Sequence, residues 1–356
     1  MRFYQNNEVL VSASVFIAGF IFDLLTLGRI DDLLNLVQQA VYLAILGTLL
    51  VFEIKENLGQ FTAPRWIAKY WQYKDLFVHF LFGSLLSAYT IFYYTSASAL
   101  TSFIFISLLA GLMLANEFPQ IQKIGTSVRV ILFSICLLSY FAFFYPVLIG
   151  SVGVIPFWFG FISSALSCGF VWKSQFAKNE THQKYLRANV SRPIIGVHLF
   201  FLIGYYFALI PPVPVAVKKI GVYYNVTKSN GDYVGDHLNS DWKFWNKGSQ
   251  KFHYRQGDKV VILMSIFSPT RFQDKVFIKW FHDHPTQGWV LQDTIPLNIL
   301  GGRDEGFRGF GEKQNYMEGK WKVEVETSDG REVGGIRFTV TPDQTTEERV
   351  FNHDTF

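Results

Sequence analysis

From Val130 to Trp172 the chain carries no charged residue. A single straight helix over that run, at about 1.5 Å per residue, would be about twice as long as the hydrocarbon layer of a bilayer is thick. The run must therefore fold back on itself, and Pro146, Gly150 and Gly153 mark the place. It supplies two spans, Val130–Pro146 and Val152–Trp172. Five further stretches have the roughly 17 to 25 mainly apolar residues that a crossing helix needs: Val9–Gly28, Leu33–Phe52, Leu76–Tyr94, Ala97–Ala115 and Pro193–Val215. A bundle of seven transmembrane helices is predicted over residues 1–215. Composition agrees, because 50 % apolar residues and a mean hydropathy of +0.20 exceed what an ordinary soluble chain carries. The first stretch is read as a span and not as a cleaved signal, since it contains Asp23, lacks a small-x-small exit and precedes further spans.

Charge orients the bundle. Residues 1–215 hold 13 of the 32 Lys and Arg against 9 Asp and Glu, and the remainder holds 19 against 19, so the whole excess of four lies in the membrane half. A pI near 8.8 is thus a topology signal, and no nucleic-acid partner is expected. Arg2, Lys55, Arg65, Lys69, Lys74, Lys123, Arg129, Lys173, Lys178, Lys184, Arg187 and Arg192 fall on one side of the predicted bundle, opposed by Arg29. This predicts a cytoplasmic N-terminus and, after an odd number of spans, an exported C-terminal domain. In the loop Ala63–Tyr73, Trp66, Ile67, Tyr70 and Trp71 share one helical face while Arg65, Lys69 and Gln72 share another. Two readings stay open, a short helix in the interface or an aromatic belt at a helix end.

From Lys218 the pattern changes to period two. Trp321, Val323 and Val325 alternate with Lys320, Lys322, Glu324 and Glu326, and Ser328-Asp329-Gly330 turns the chain into a strand bearing Ile336, Phe338 and Val340. Further strand candidates are Ile220–Val226, Lys259–Phe267, Lys275–Phe281 and Trp289–Thr294. Seven or so short strands without helical period predict an all-β antiparallel sandwich of immunoglobulin-like type over residues 216–341. The tail, residues 342–356, reads as disordered. Both cysteines, Cys136 and Cys168, lie in apolar runs, so no disulfide stabilises the β domain.

Within that domain the stretches Val276–His282, Gly306–Phe310, Gly319–Val325, Asp329–Arg331 and Phe338–Val340 resemble the bacterial family known as domain of unknown function 2914. The resemblance covers Lys259 to Val340, under a quarter of the chain, and rests most on the G-x-W-x-V-x-V strand and the Arg-plus-aromatic segment before it. It implies a small all-β domain in bacterial envelope proteins and supplies no activity. Gly311 departs from it, standing where a small hydroxyl residue is expected.

Candidate chemistry gathers at three places. Asp23, Arg29, Asp31 and Asp32 cluster at the outer end of the first span. An intramembrane carboxylate is costly, so Asp23 calls for a partner or a wet cavity. Either these residues form a polar site for an anionic headgroup or substrate, or Asp23 and Arg29 are a structural pair. Trp242, Trp245, Phe252, Tyr254, Arg308 and Phe310 could form an aromatic platform for a sugar or partner, or belong to the sandwich core. His282-Asp283-His284 invites a zinc reading, against which Pro285 favours a turn and no third ligand is spaced to join. Asp75 and His79, one turn apart, could bond along one helix face, and Gln38, Gln39, Asn116, Glu117 and His198 could bond between helices. No G-x-x-x-x-G-K-S/T, H-E-x-x-H or G-x-S-x-G is present, so no cofactor is implied and nucleotide, metalloprotease and serine-hydrolase chemistry lack support. The expected function is that of a bacterial inner-membrane protein whose periplasmic sandwich binds a protein or glycan partner. The rival is a membrane-embedded enzyme or transporter acting at Asp23, Arg29, Asp31 and Asp32.

Overall fold

A computed structural model of the chain describes residues 30–96, 103–116, 125–173, 179–229, 231–238, 247–269, 272–301 and 306–356, together with Ile21, Leu25 and Gly28. Two compact units result: Met1–Thr95, Ser102–Tyr145 and Ile155–Ile210 form one, and Ser96–Thr101, Pro146–Val154 and Pro211–Phe356 the other.

The first unit is helical. Its elements are α1 (Leu33–Asn57), α2 (Arg65–Trp71), α3 (Lys74–Thr95), α4 (Phe103–Asn116), α5 (Thr126–Ile149), α6 (Val154–Lys173), α7 (Glu180–Leu186), a π turn (Arg187–Ser191) and α8 (Arg192–Tyr206). Among the described residues five segments are long and apolar enough to cross a membrane: Leu33–Asn57, Phe77–Thr95, Thr126–Ile149, Val154–Val171 and Glu180–Tyr206. These make the chain a multi-pass membrane protein. The predicted span Ala97–Ala115 is represented by the shorter apolar helix Phe103–Met113, and Val9–Gly28 lies almost wholly outside the described residues.

Several boundaries move for identifiable reasons. Pro146 sits inside α5, and the chain reverses instead at Gly150 and Gly153, whose φ values of 80° and 117° suit glycine. Helix α5 also starts four residues earlier than predicted, at Thr126, because the polar side chains of its first turn find partners on other helices. The last span begins at Glu180, not Pro193. The π turn before Pro193 relaxes the hydrogen-bond ladder just where proline removes a donor. It ends at Tyr206, since Ala208 turns left-handed and Pro211 and Pro212 follow.

The second unit is built from β1 (Ala216–Tyr223), β2 (Asn225–Ser229), β3 (Asp232–His237), β4 (Lys247–Gly248), β5 (Lys251–Tyr254), β6 (Val260–Phe267), β7 (Gln273–His284), β8 (Gly288–Leu300), β9 (Phe307–Lys313), β10 (Gly319–Thr327), β11 (Glu332–Pro342) and β12 (Asn352–Thr355). They form sheets of order β4-β1-β6-β9, β5-β11-β10-β7-β8 and β12-β3-β2. The first two pack face to face, burying Ile262, Met264, Trp280, Trp321, Val323 and Phe338 in one core. Trp280 and Trp321 are fully buried, and truncating either to alanine would cost about 3 to 5 kcal/mol. Antiparallel pairing dominates, as predicted, but β4 joins β1 and β5 joins β11 in parallel. Two glycines let the sheets approach. A Cβ on Gly311 would lie 3.2 Å from Ile278 Cδ1, and one on Gly334 would lie 2.7 Å from Val217 Cβ.

The predicted disordered tail is instead ordered. β12 pairs with β3, Phe356 is buried against Tyr223, and Arg349 reaches back to Asp258 at 2.7 Å and Asp343 at 3.2 Å. Charge pairing by Arg349, strand pairing by β12 and the anchoring of Phe351 and Phe356 in the core hold it together, and these partners lie far away in a sequence that is locally polar.

Candidate functional site

Three polar constellations stand out from the fold, one on the β unit's surface and two that are structural. The first follows from strand alternation. In β7, β10 and β11 the inward positions hold Ile278, Trp280, Trp321, Val323 and Phe338, so Phe281, Lys320, Lys322 and Arg337 face outward. Register then sets Arg337, Lys322, Phe281 and Leu291 in one cross-strand row over β11, β10, β7 and β8. A bulge between Trp280 and Phe281 brings Trp289 within reach of the same row. The Lys322 ammonium stands 4.6 Å from the Phe281 ring centre and 5.4 Å from that of Trp289, and the Arg337 guanidinium carbon 6.0 Å from Trp289. Lys322 also meets Glu324 at 2.6 Å.

Two like charges directly opposite on neighbouring strands repel. Glu324 relieves Lys322 and the two rings take part of the remainder, but neither Arg337 nor Lys320 meets an acidic partner among the described residues. Trp289 and Leu291 are exposed beside them. The row therefore offers a flat apolar surface edged by two unneutralised cations. That combination suits a ring-bearing, negatively charged ligand.

The expected site residues fall elsewhere. Asp32 caps α1: its Oδ1 accepts the Leu34 N–H at 3.1 Å and its carbonyl that of Leu36. Asp31 has interactions of its own, while Asp23, Arg29, Trp242 and Trp245 lie outside the described residues. Arg308 is committed to Asp232 at 2.7 Å and to the Gly231 carbonyl at 3.2 Å. Phe310 is partly exposed, 6.0 Å from the Tyr233 ring, and Phe252 is core. The platform of Trp242, Trp245, Phe252, Tyr254, Arg308 and Phe310 is not assembled by the described members. His282 is buried and its Nε2 bonds the Glu318 carbonyl, whereas His284 bonds Thr286, so the two do not converge. Among the described residues no group of three or more His, Cys, Asp or Glu is placed to hold a metal.

The second constellation is at one end of the helical unit. Arg129 of α5 bonds Glu53 of α1 at 2.5 Å and Asp75 of α3 at 2.9 Å. Thr126, Asn57 and Tyr185 share hydroxyl and amide bonds of 2.9 to 3.2 Å, and Ser127 donates to Asn189 in the π turn at 2.7 Å. Nearby, Glu56 takes Lys74 and the Trp71 indole. Asp75 thus pairs between helices and not along its own face with His79. Gln38 and His198, in contrast, bond within their own helices, to Tyr42 and the Ile194 carbonyl. Every charge in this cluster has an opposite one, as a structural clasp would require. Toward the middle of α1, α5 and α6 lies a cavity of about 950 Å³ lined by Ala44, Gly47, Phe133, Leu137, Leu166 and Phe170. The hydroxyls of Thr48 and Ser167 on its wall donate to carbonyls of their own helices, so the lining, which also includes Tyr140, is mainly carbon and fits hydrocarbon.

The third constellation clasps the C-terminal segment. Asp354 accepts from the Tyr223 hydroxyl at 2.9 Å, the Gly248 N–H at 3.0 Å and Lys247 at 3.1 Å. Burial raises its pKa, but these donors outweigh burial and hold it below the ordinary value. Asp343 is held well below as well, by the hydroxyl and N–H of Thr345 and then by Arg349 and Arg255. Burial and the Asp354 carboxylate push the Tyr223 phenol far up, so it stays a donor.

Comparison with known proteins adds one positive finding. No curated protein matches the chain. An immunoglobulin-like protein from Pseudomonas aeruginosa aligns over 36 % of this chain and 98 % of its own, at 12 % identity and a TM-score of 0.23. The alkylpurine DNA glycosylase AlkC of Pseudomonas fluorescens aligns over 88 % and 100 %, at 9 % identity and a TM-score of 0.22. Likenesses at that level carry no argument about this chain. The expected family does match: residues 273–340, the stretch that holds Phe281, Trp289, Lys322 and Arg337, fit the family described as protein of unknown function (DUF2914).

Proposed function

We propose that this is a bacterial inner-membrane protein whose β unit, an immunoglobulin-like sandwich outside the cytoplasm, binds a negatively charged envelope polymer on the Trp289–Lys322–Arg337 face. Seven helices, Val9–Gly28 included, would anchor it. The observation that carries the reading is the opposed pair Lys322 and Arg337, two cations kept side by side against an exposed tryptophan. An anion laid over the row would relieve that repulsion. Orientation is supported by Ser96 and the reversal at Gly150–Gly153, positions expected outside, which belong to the same compact unit as the strands. The rival site at the first span has less support, since the Asp32 carboxylate is occupied as a helix cap.

The test is binding by full-length protein in lipid nanodiscs to polygalacturonate, dextran and polyglutamate as probes. Polygalacturonate should bind, weaken with salt, and bind at least about tenfold more weakly to the Lys320→Gln/Arg337→Gln variant. Equal binding of dextran, or no effect of the double variant, would overturn the proposal. Binding of polyglutamate alone would assign the face to an acidic protein instead.

A further inference from the structure

Helix α2 is turned so that its aromatic residues divide between two surroundings. Ile67 and Trp71 lean inward: the Trp71 ring lies 5.5 Å from Phe61 and 6.2 Å from Phe52, and its indole N–H donates to Glu56 at 3.2 Å. These contacts fix the rotation of the helix. The single apolar face expected from the sequence is therefore split, and Trp66, Tyr70 and Tyr73 stand 79 %, 70 % and 58 % exposed.

The exposed aromatics do not stop at the end of α2. Phe77 and Phe80 of α3 are also exposed, and the spacing 66, 70, 73, 77, 80 is that of one helical stripe. Backbone bonds from Tyr73 to Tyr70 and from Phe77 to Tyr73 bridge the two-residue turn, Gln72 and Tyr73, that joins α2 to α3. Phe77 opens a segment apolar enough to cross a membrane, so the stripe continues from hydrocarbon into α2. Tryptophan and tyrosine settle at that boundary, with the ring in the apolar layer and the polar edge among headgroups. Arg65 and Lys69, one turn apart along the margin of the stripe, are exposed and meet no acidic partner among the described residues.

We infer that α2 is a binding site for anionic phospholipid headgroups, the stripe seating the acyl region and Arg65 with Lys69 taking the phosphate. Continuity of the stripe with a spanning segment selects lipid over a second copy of the chain, and two cations without an acidic partner among the described residues select anionic over zwitterionic headgroups. The inference is independent of the proposed ligand of the β unit, and either can fail alone.

The experiment is native mass spectrometry of full-length protein equilibrated with equimolar phosphatidylglycerol and phosphatidylcholine. Wild type should retain phosphatidylglycerol preferentially. Arg65→Gln/Lys69→Gln should lower that preference about tenfold with an unchanged melting temperature. Trp66→Ser/Tyr70→Ser, at two exposed positions, should reduce retention of both lipids. Equal retention of the two lipids by wild type would overturn the inference. So would displacement of phosphatidylglycerol by millimolar inorganic phosphate, which would make this a phosphate site. A dimer in the same spectrum that the Trp66→Ser/Tyr70→Ser variant converts to monomer, with lipid retention unchanged, would instead make α2 a self-association surface.

Discussion

Replacing Arg129 with methionine removes the cation that joins α1, α3 and α5. The side chains of Arg129, Glu53 and Asp75 are 14 %, 9 % and 57 % exposed, so the two arms of the cluster are not equivalent. Glu53 would lose its cation where water scarcely reaches, a loss of about 3 to 5 kcal/mol for a buried pair broken on one side. The Asp75 arm, more than half exposed, adds about 0 to 1 kcal/mol. Because the cluster sits at a helix end and Asp75 opens it to water, the lower part of the range applies, about 3 kcal/mol, or roughly 150-fold in the folding equilibrium. Glu53→Gln should cost less, about 1 to 3 kcal/mol, since Arg129 keeps Asp75 and the amide still accepts a hydrogen bond. The double variant Glu53→Gln/Arg129→Met should recover most of the single loss, because no charge is then stranded. Unfolding of the full-length protein by SDS titration, followed by tryptophan fluorescence, gives the three values and their coupling. If Asp75→Asn proves as harmful as Arg129→Met, or if the double variant loses the sum of the singles, burial of the Glu53 arm is not what makes the pair matter.

Three other outcomes are expected. A cysteine at Ser151 should react with an impermeant maleimide in intact cells, and one at Lys69 only after permeabilisation; the reverse pattern would invert the proposed orientation. Gly311→Ser, which supplies the residue type expected from the family resemblance, should lower the melting temperature by an amount equivalent to about 1 to 3 kcal/mol, because the added hydroxyl would be pressed against Ile278 and Ile295 without a partner. No change in melting temperature would refute that packing argument. Asp343 and Asp354 both have folded pKa values below the ordinary carboxylate value, near 3.9. Their stabilisation is complete above that value and fades as pH falls through the depressed folded values. Hydrogen exchange in residues 343–356, corrected for the intrinsic pH dependence, should stay slow at pH 7 and 5 and rise below about pH 4. Asp354→Asn should raise it already at pH 7, and slow exchange in that variant would refute the clasp.

What the sequence disclosed depended on how far apart the deciding residues lie. The fold-back near Gly150 and the β10–β11 hairpin are local: an uncharged run too long for one crossing, and alternation around Trp321 ending in Asp329-Gly330, leave little choice. The Glu53–Arg129 pair is not local. Arg129 reads as a charge that closes a span, and only a partner on another helix lets α5 extend past it. The C-terminal strand was missed for the same reason, since Arg349 gains its meaning from Asp258 far upstream. Alternation alone placed Lys322 and Arg337 outward, but their juxtaposition needs the β10–β11 register, and the approach of Trp289 needs a bulge that has no signature in the sequence. Of the residues singled out beforehand, Asp23, Arg29, Trp242 and Trp245 lie outside the described structure. Arg308 and Asp32 proved to be committed to structural bonds.

The two thiols of this chain, Cys136 and Cys168, are buried within α5 and α6. Their seclusion makes the native sequence its own blank for thiol chemistry. A nitroxide or fluorophore introduced at Lys320 on the cation–aromatic row, or at Lys69 on the lipid-facing helix, would report from that position alone, without first stripping cysteines from a packed bundle. The distance between two such probes, measured by electron-spin or fluorescence methods with and without polygalacturonate, could therefore be followed in otherwise unaltered protein.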